Sequence, residues 1–228
     1  MDDVGAVGTL VALAVEALEV VVLAAEAVLA AAAVVILAVV APRGIGEHMF
    51  DKLKTILKHL WLDSSDAQRA IPLDLLQRLA KRVAASEGRH TGQIRIYVEA
   101  ALPMSYLWRL GRHGAVNCSI KELIRQRAVM LFGKLRIWDT EHNNGVLIYL
   151  LLAEHAIEIV ADRGVNRQVT TQQWQAITEN MANAFKSAQF EDGLTQAIGE
   201  VTSLLVAHFP SAGNVQSANE LADEPILG

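Results

Sequence analysis

Cysteine is almost missing from this chain: Cys118 is the only one in 228 residues. A single thiol closes no intramolecular disulfide, so the sequence gives no sign of an oxidising compartment. Cys118 stands just before an expected helix start, where a thiolate would be favoured, but alone it reads as a small packing residue. An excess of positive charge is missing too. The formal charge of −5 lies entirely in residues 1–48, which hold six acids (Asp2, Asp3, Glu16, Glu19, Glu26, Glu47) and one base, Arg43. The remainder balances nineteen acids against nineteen bases. A neutral domain gives no electrostatic reason to expect nucleic acid. There is no G-x-S-x-G elbow, no Walker loop, no dinucleotide fingerprint and no HExxH pair, and the histidines show no matched metal spacing. No internal repeat is present.

What the chain has in abundance is an apolar leader. From Val4 to Val40, 29 of 37 residues are Gly, Ala, Val or Glu, and Glu26 is followed by fifteen apolar residues, Ala27 to Ala41. A membrane span needs about 20 residues. One drawn from this stretch includes Glu19 or Glu26, at about 2.5–3.5 kcal/mol for a carboxylate at mid-bilayer. Arg43, Lys52, Lys54 and Lys58 follow the stretch, so the positive-inside rule puts the large domain in the cytoplasm. A signal peptide fits poorly, because the start is acidic and the apolar run too long. The alternative is that residues 1–48 come from a shifted reading frame. Translation would then begin at Met49, giving a soluble, cytoplasmic protein.

The expected organisation is a leader over 1–48, an amphipathic helix and linker over 49–71, one domain over 72–210 and a flexible tail over 211–228. Phe50, Leu53, Ile56, Leu57, Leu60 and Trp61 have helical spacing, and "SSDAQRAIP" reads as the linker. Pro72 opens a helix whose apolar stripe is Leu73, Leu76, Leu79, Ala80 and Val83, stopped at Gly88. Ile94, Ile96, Val98 and Ala100 alternate with Arg95, Tyr97 and Glu99, the pattern of a half-buried strand. Glu99 there needs a partner, and Arg95, Arg125 or Arg127 could supply it. Residues 103–118 read as a loop, partly helical. Ser119 with Glu122 is a capping box for a helix ending at Gly133. Val146–Leu152 and Ala156–Val160 are near-continuous apolar runs of strand length, joined by the turn "AEHA" and covered on both faces. Two helices follow, the first with Trp174, Ile177, Met181 and Phe185, the second with Leu194, Ile198, Val201, Leu205 and Phe209, stopped by Pro210. The pattern α-β-α-β-β-α-α predicts an α/β fold, a mixed sheet between helical layers.

The two apolar runs carry carboxylates and amides at their outer ends: Asp139, Glu141, Asn143 and Asn144 before the first, Asp162 after the second. Antiparallel pairing brings these ends together. Asp139, Glu141, Asn144 and Asp162 are therefore the candidate ligands for a hard cation, Ca²⁺ or Mg²⁺. Solvated turn residues are the alternative. His142 is the one histidine placed to act as an acid or base, and Asp139, Asp162 and His142 are the candidate catalytic groups.

Three stretches, "HTGQIRIYVEAALP", "RQRAVMLFGKLRIWDTEHNNGVLIYLLLAEHAIEIVADRGV" and the "FEDGL" entry to the last helix, resemble the TPM domain family, also called TPM phosphatase. The resemblance runs from about residue 72 to 210. It implies an α/β/α sandwich. It also implies either acid phosphatase activity with a cation held in an acidic cleft, or a non-catalytic role in assembly, repair or receptor support. The acidic positions it carries over are Asp139, Glu141 and Asp162. Two readings result: a membrane-associated module that binds a protein partner or a divalent cation, and a metal-assisted phosphatase acting on a small phosphoester.

Overall fold

The computed structural model describes residues 46–110, 118–186, 189–211 and 219–228. The expected apolar helix over 1–48 lies outside them, apart from its last three positions. The chain divides into two units, Met1–Lys54 and Thr55–Gly228, and the second holds the domain. Helix α1 spans Gly46–Trp61, α2 Ser64–Ala70, α3 Leu73–Glu87, α4 Met104–Leu107, α5 Ile120–Lys134, α6 Arg163–Asn166, α7 Thr171–Lys186 and α8 Phe190–His208. The strands are β1 Gln93–Glu99, β2 Gly145–Leu151, β3 Ala156–Ala161 and β4 Ile226–Leu227.

The sheet runs β3-β2-β1-β4, with β1 parallel to β2 and to β4, and β2 antiparallel to β3. Side-chain alternation along the strands feeds two separate cores. On one face Ile94, Ile96, Val98, Val146, Ile148 and Leu150 meet Leu79 and Val83 of α3, Met181 and Phe185 of α7, and Leu194 and Val201 of α8. On the other, Leu147, Tyr149, Leu151 and Val160 meet Leu123, Ala128 and Leu131 of α5, with Ile56 and Cys118 at the margin. Every residue of β2 is buried, as a central strand covered on both faces requires. The architecture is the expected α/β/α sandwich.

Three local expectations change. The stretch read as a linker forms α2, because Asp63 and Asp66 make a reciprocal capping box and Ala67 and Ile71 enter the core. Leu73, counted into the α3 stripe, is 65% exposed, while Leu75 is buried in its place. The tail expected to be flexible to its end instead supplies β4: Gly228 N donates to Val98 O at 2.9 Å, and the Gln93 side-chain oxygen accepts from the amides of Glu220 and Leu221. Its two strand residues sit among polar neighbours, too short a run to show periodicity.

Candidate functional site at the amino ends of the central strands

Asn144 and Asp162 close the end of the sheet where β1 and β2 begin and β3 finishes. The local chain can fold there because two positions carry no Cβ. A side chain at Gly145 would collide with the Ile137 carbonyl, and one at Gly164 with the carbonyls of His142 and Asn143. Asn143 adopts a left-handed conformation, φ 52°, which asparagine tolerates better than most residues. Its carbonyl accepts from Gly164 N at 3.0 Å and its side-chain oxygen from Arg163 Nε at 3.0 Å. Loop 139–144 is thereby tied to the start of α6.

Asn144 is fully buried. Its amide donates to Thr140 Oγ1 at 3.1 Å, its Nδ2 to Thr91 Oγ1 at 3.1 Å, and its carbonyl accepts from Gln93 N at 3.3 Å. Its Oδ1 has no partner. Asp162 is 8% exposed. Its amide donates to Gly145 O at 2.9 Å, and its Oδ1 accepts from Arg163 N at 2.6 Å as the N-cap of α6. Its Oδ2 is buried and has no partner. Buried polar atoms are nearly always paired with protein, water or an ion, so two open oxygens at one sheet end mark the place.

The other expected ligands contribute less. Asp139 is an exposed residue ion-paired to Arg136 at 2.6 Å. Glu141 is exposed, and only its amide is held, by Glu220 Oε2 at 3.0 Å. His142 is exposed and makes no side-chain hydrogen bond among the described residues. The antiparallel register pairs Val146 with Ala161, which sets Gly145 opposite Asp162 and Asn144 opposite Arg163. By alternation Asn144 belongs to the α3/α8 face with Val146, and Asp162 to the α5 face with Val160. Among the described residues no three His, Cys, Asp or Glu side chains gather closely enough to hold a metal ion. Asp139, Glu141, Asn144 and Asp162 thus share one end of the sheet without forming one cage.

At the opposite end stands the ion pair expected for Glu99, with partners the sequence did not single out. Glu99, on the last residue of β1, forms a bidentate pair with Arg127 Nε and Nη2, and Tyr149 OH donates to it at 2.7 Å. Burial, then the Glu99 charge, raises the Tyr149 hydroxyl far above the ordinary phenol range. Arg127 was one of three partners the sequence allowed. Arg125 instead takes Glu158, and Arg95 takes the carbonyls of Ala222 and Glu224. Nearby, His59 Nδ1 accepts from Leu102 N at 3.0 Å. Its proton therefore lies on Nε2, 3.2 Å from Glu154 Oε1. Burial opposes the Glu154 charge, yet His59 and Lys58 hold its carboxyl below the usual range. The helical spacing of α1 showed only its apolar stripe, so His59 gave no signal.

A buried Ser86–His90–Thr202 network also escaped the motif search, because its Ser and His stand only four residues apart in no known catalytic spacing and Thr202 lies 116 residues on. Ser86 Oγ lies 2.8 Å from His90 Nε2 and 2.5 Å from Thr202 Oγ1. His90 Nδ1 donates to Gly92 O at 3.0 Å, since a carbonyl only accepts. Ser86 therefore donates to His90. Burial lowers His90 to about 4, too weak a base to activate a serine near neutrality. The network holds α3 to α8.

A mixed sheet between two helical layers, with ligand-type oxygens at one end and buried ion pairs at the other, defines an α/β/α sandwich domain. A sequence model of the TPM domain matches residues 65–204, more than half of the chain, and the chain belongs to the TPM domain family. The match takes in α2. Among solved structures, the BA42 protein of the psychrophilic bacterium Bizionia argentinensis, determined by NMR, is 22% identical, with a TM-score of 0.56 over 69% of this chain and 95% of that one. At that identity the likeness concerns the fold. The N-terminal domain of a protein from P. gingivalis is 16% identical, with a TM-score of 0.43 over 59% and 78%. No curated protein matches the chain.

Proposed function

We propose that this TPM-domain protein is a binding module that takes a divalent cation at Asp162 and acts through that site without hydrolysing a substrate. The observation that supports the reading is the buried Asp162 Oδ2, which has no hydrogen-bond donor among the described residues. A carboxylate oxygen withdrawn from water in this way is stabilised by a cation or an ordered water. The donor set at that position is one buried carboxylate, with Asn144 Oδ1 at the same sheet end but on the opposite face. It fits an ion that keeps most of its own water, as Mg²⁺ does with one or two carboxylates, better than an all-protein Ca²⁺ cage of six to eight oxygens.

A metal-assisted phosphatase needs a group to activate or orient the attacking water. His142 is exposed and makes no side-chain hydrogen bond among the described residues, and His90, lowered to about 4 by burial, is too weak a base near neutrality. Titration of the full chain with Mg²⁺ and Ca²⁺, run beside a p-nitrophenyl phosphate assay, separates the two readings. Saturable cation binding without hydrolysis is expected. Turnover abolished by Asp162→Asn would establish the phosphatase.

Membrane association belongs to the same proposal and rests on the apolar residues 27–41. No helix among the described residues is long and apolar enough to cross a membrane. Recovery of the full chain from a membrane pellet after an alkaline wash is the expected result. A soluble protein beginning at Met49 would remove this part of the reading.

A further inference from the structure

Residues 219–228 reach the outer edge of β1, and the domain holds them mainly by their backbone. Gln93 Oε1 accepts from the amides of Glu220 and Leu221, each at 3.0 Å. Arg95 donates to the carbonyls of Ala222 and Glu224, and Gly228 N donates to Val98 O at 2.9 Å. Glu220 Oε2 also accepts from the Glu141 amide in loop 139–144. Apolar anchoring is slight. Pro225 is buried, Leu221 and Leu227 are half-buried at the margins of the two cores, and the ladder with β1 is two pairs long, Tyr97–Ile226 and Val98–Leu227. A segment with few buried apolar contacts opens at low cost, separately from global unfolding.

One contact in this seat is sensitive to protons. A cavity of about 180 Å³ is lined by Glu87 of α3, Gln93 of β1, and Asn219 and Asp223 of the segment. Glu87 Oε1 accepts from Ile94 N at 2.8 Å. The Glu87 carboxyl also meets Asp223, which accepts from Asn219 Nδ2 at 3.0 Å. Two carboxyls in contact tolerate one negative charge far better than two. Burial first, then the Asp223 charge, raises Glu87 to about 8. Arg95 is the cation that opposes this, and it answers to Asp223 and Glu224 as well as to Glu87.

We propose that residues 219–228 are a detachable strap, locked by the Glu87–Asp223 contact, that leaves the β1 edge as one unit in mildly alkaline solution while the rest of the domain stays folded. An ionised Glu87 faces Asp223 only while the strap is seated; lifting it separates the two charges and returns Asp223 to water. A carboxyl raised in the seated state stabilises the seat fully below its ordinary 4.5, and that contribution is lost as pH rises through 8. Release leaves Val98 O and Ala100 N without their partner in Gly228 and frees the Glu141 amide. It therefore bares a sheet edge able to pair with another strand and unties loop 139–144 in the same step. The strap does not depend on a cation at Asp162, and neither reading falls with the other.

The test is amide hydrogen exchange of the full chain from pH 6 to pH 9, corrected for the intrinsic rate at each pH. Protection of Glu220, Leu221 and Gly228 should fall together by at least tenfold, while that of Ile148 in the central strand holds. Glu87→Gln keeps an acceptor for Ile94 N and should hold the strap's protection within about twofold across the range. Asp223→Asn removes the same repulsion from the strap's side and should blunt the fall. Four results would overturn the proposal: protection flat in the wild type, a fall shared by Ile148, strap amides that open at different pH, or either variant falling as steeply as the wild type.

Discussion

The two ends of the sheet handle buried polar groups in opposite ways. Where β1 finishes, Glu99 has two hydrogen bonds from Arg127 and one from Tyr149, and the neighbouring His59 is held by Leu102 N on one nitrogen and faces Glu154 with the other. Where β1 and β2 begin, Asn144 Oδ1 and Asp162 Oδ2 are as deeply buried and meet no donor. The first end is closed around the Glu99 carboxylate, while His59 Nε2 and Glu154 Oε1 beside it meet only as an ion pair at 3.2 Å, outside hydrogen-bond geometry. The second keeps acceptors open at a cost in desolvation that the fold alone does not recover. The contrast gives Glu99 a stabilising role and is the basis for proposing ligand binding at Asp162.

That assignment can be broken most forcefully at Arg127. Arg127→Leu strands Glu99 without its counter-charge and should cost about 3–5 kcal/mol, read from urea unfolding. Adding Glu99→Leu should recover much of the loss, since paired apolar replacements remove the desolvation penalty as well. If the double variant is no better than the single, the network has been misread. The next largest effect is on pH. His90 falls from its ordinary 6.5 to about 4 in the fold, so the unfolded chain binds the proton more readily. Stability should be fully present above pH 6.5 and fall by on the order of 3 kcal/mol between pH 6.5 and 4. Urea midpoints at pH 7 and 4.5 measure it, and a flat profile would contradict the buried neutral imidazole. Glu87 works in the opposite direction. Burial, with the Asp223 charge beside it, raises its carboxyl to about 8, so its contribution is present below pH 4.5 and lost as pH rises through 8. Glu87→Gln should therefore gain on the wild type in melting temperature above pH 8. The smallest effect belongs to the exposed pair Asp139–Arg136. Asp139→Asn should change unfolding by less than about 0.5 kcal/mol and leave cation binding nearly intact.

The elements that announced themselves in the sequence carry their own signals. Ser119 and Glu122 cap α5 as a reciprocal box, Gly88 caps the end of α3, and the apolar runs of β2 and β3 pair as written. What stayed hidden depends on contacts between distant segments. Gln93 and Arg95 read as strand residues, yet their side chains hold the carbonyls and amides of residues 220–224 and so seat β4. The acids around 139–162 did meet at one end of the sheet, as antiparallel pairing requires. Their division between two faces depends on register, and a one-residue slip would reverse it. Burial of Asp162 and exposure of Asp139 likewise follow from Gly145 and Gly164 drawing the loop inward, which composition does not show.

The central claim is that Asp162 Oδ2 is an open cation ligand, and thermal unfolding of the full chain with and without Mg²⁺ or Ca²⁺ tests it most directly against Asp162→Asn. Asparagine caps a helix about as well as aspartate, so the variant should fold while losing the charge. At about 100 times the dissociation constant, the ion should stabilise the wild type by about 2.7 kcal/mol and leave the variant unmoved. An equal shift in both proteins, or none in either, would contradict the account.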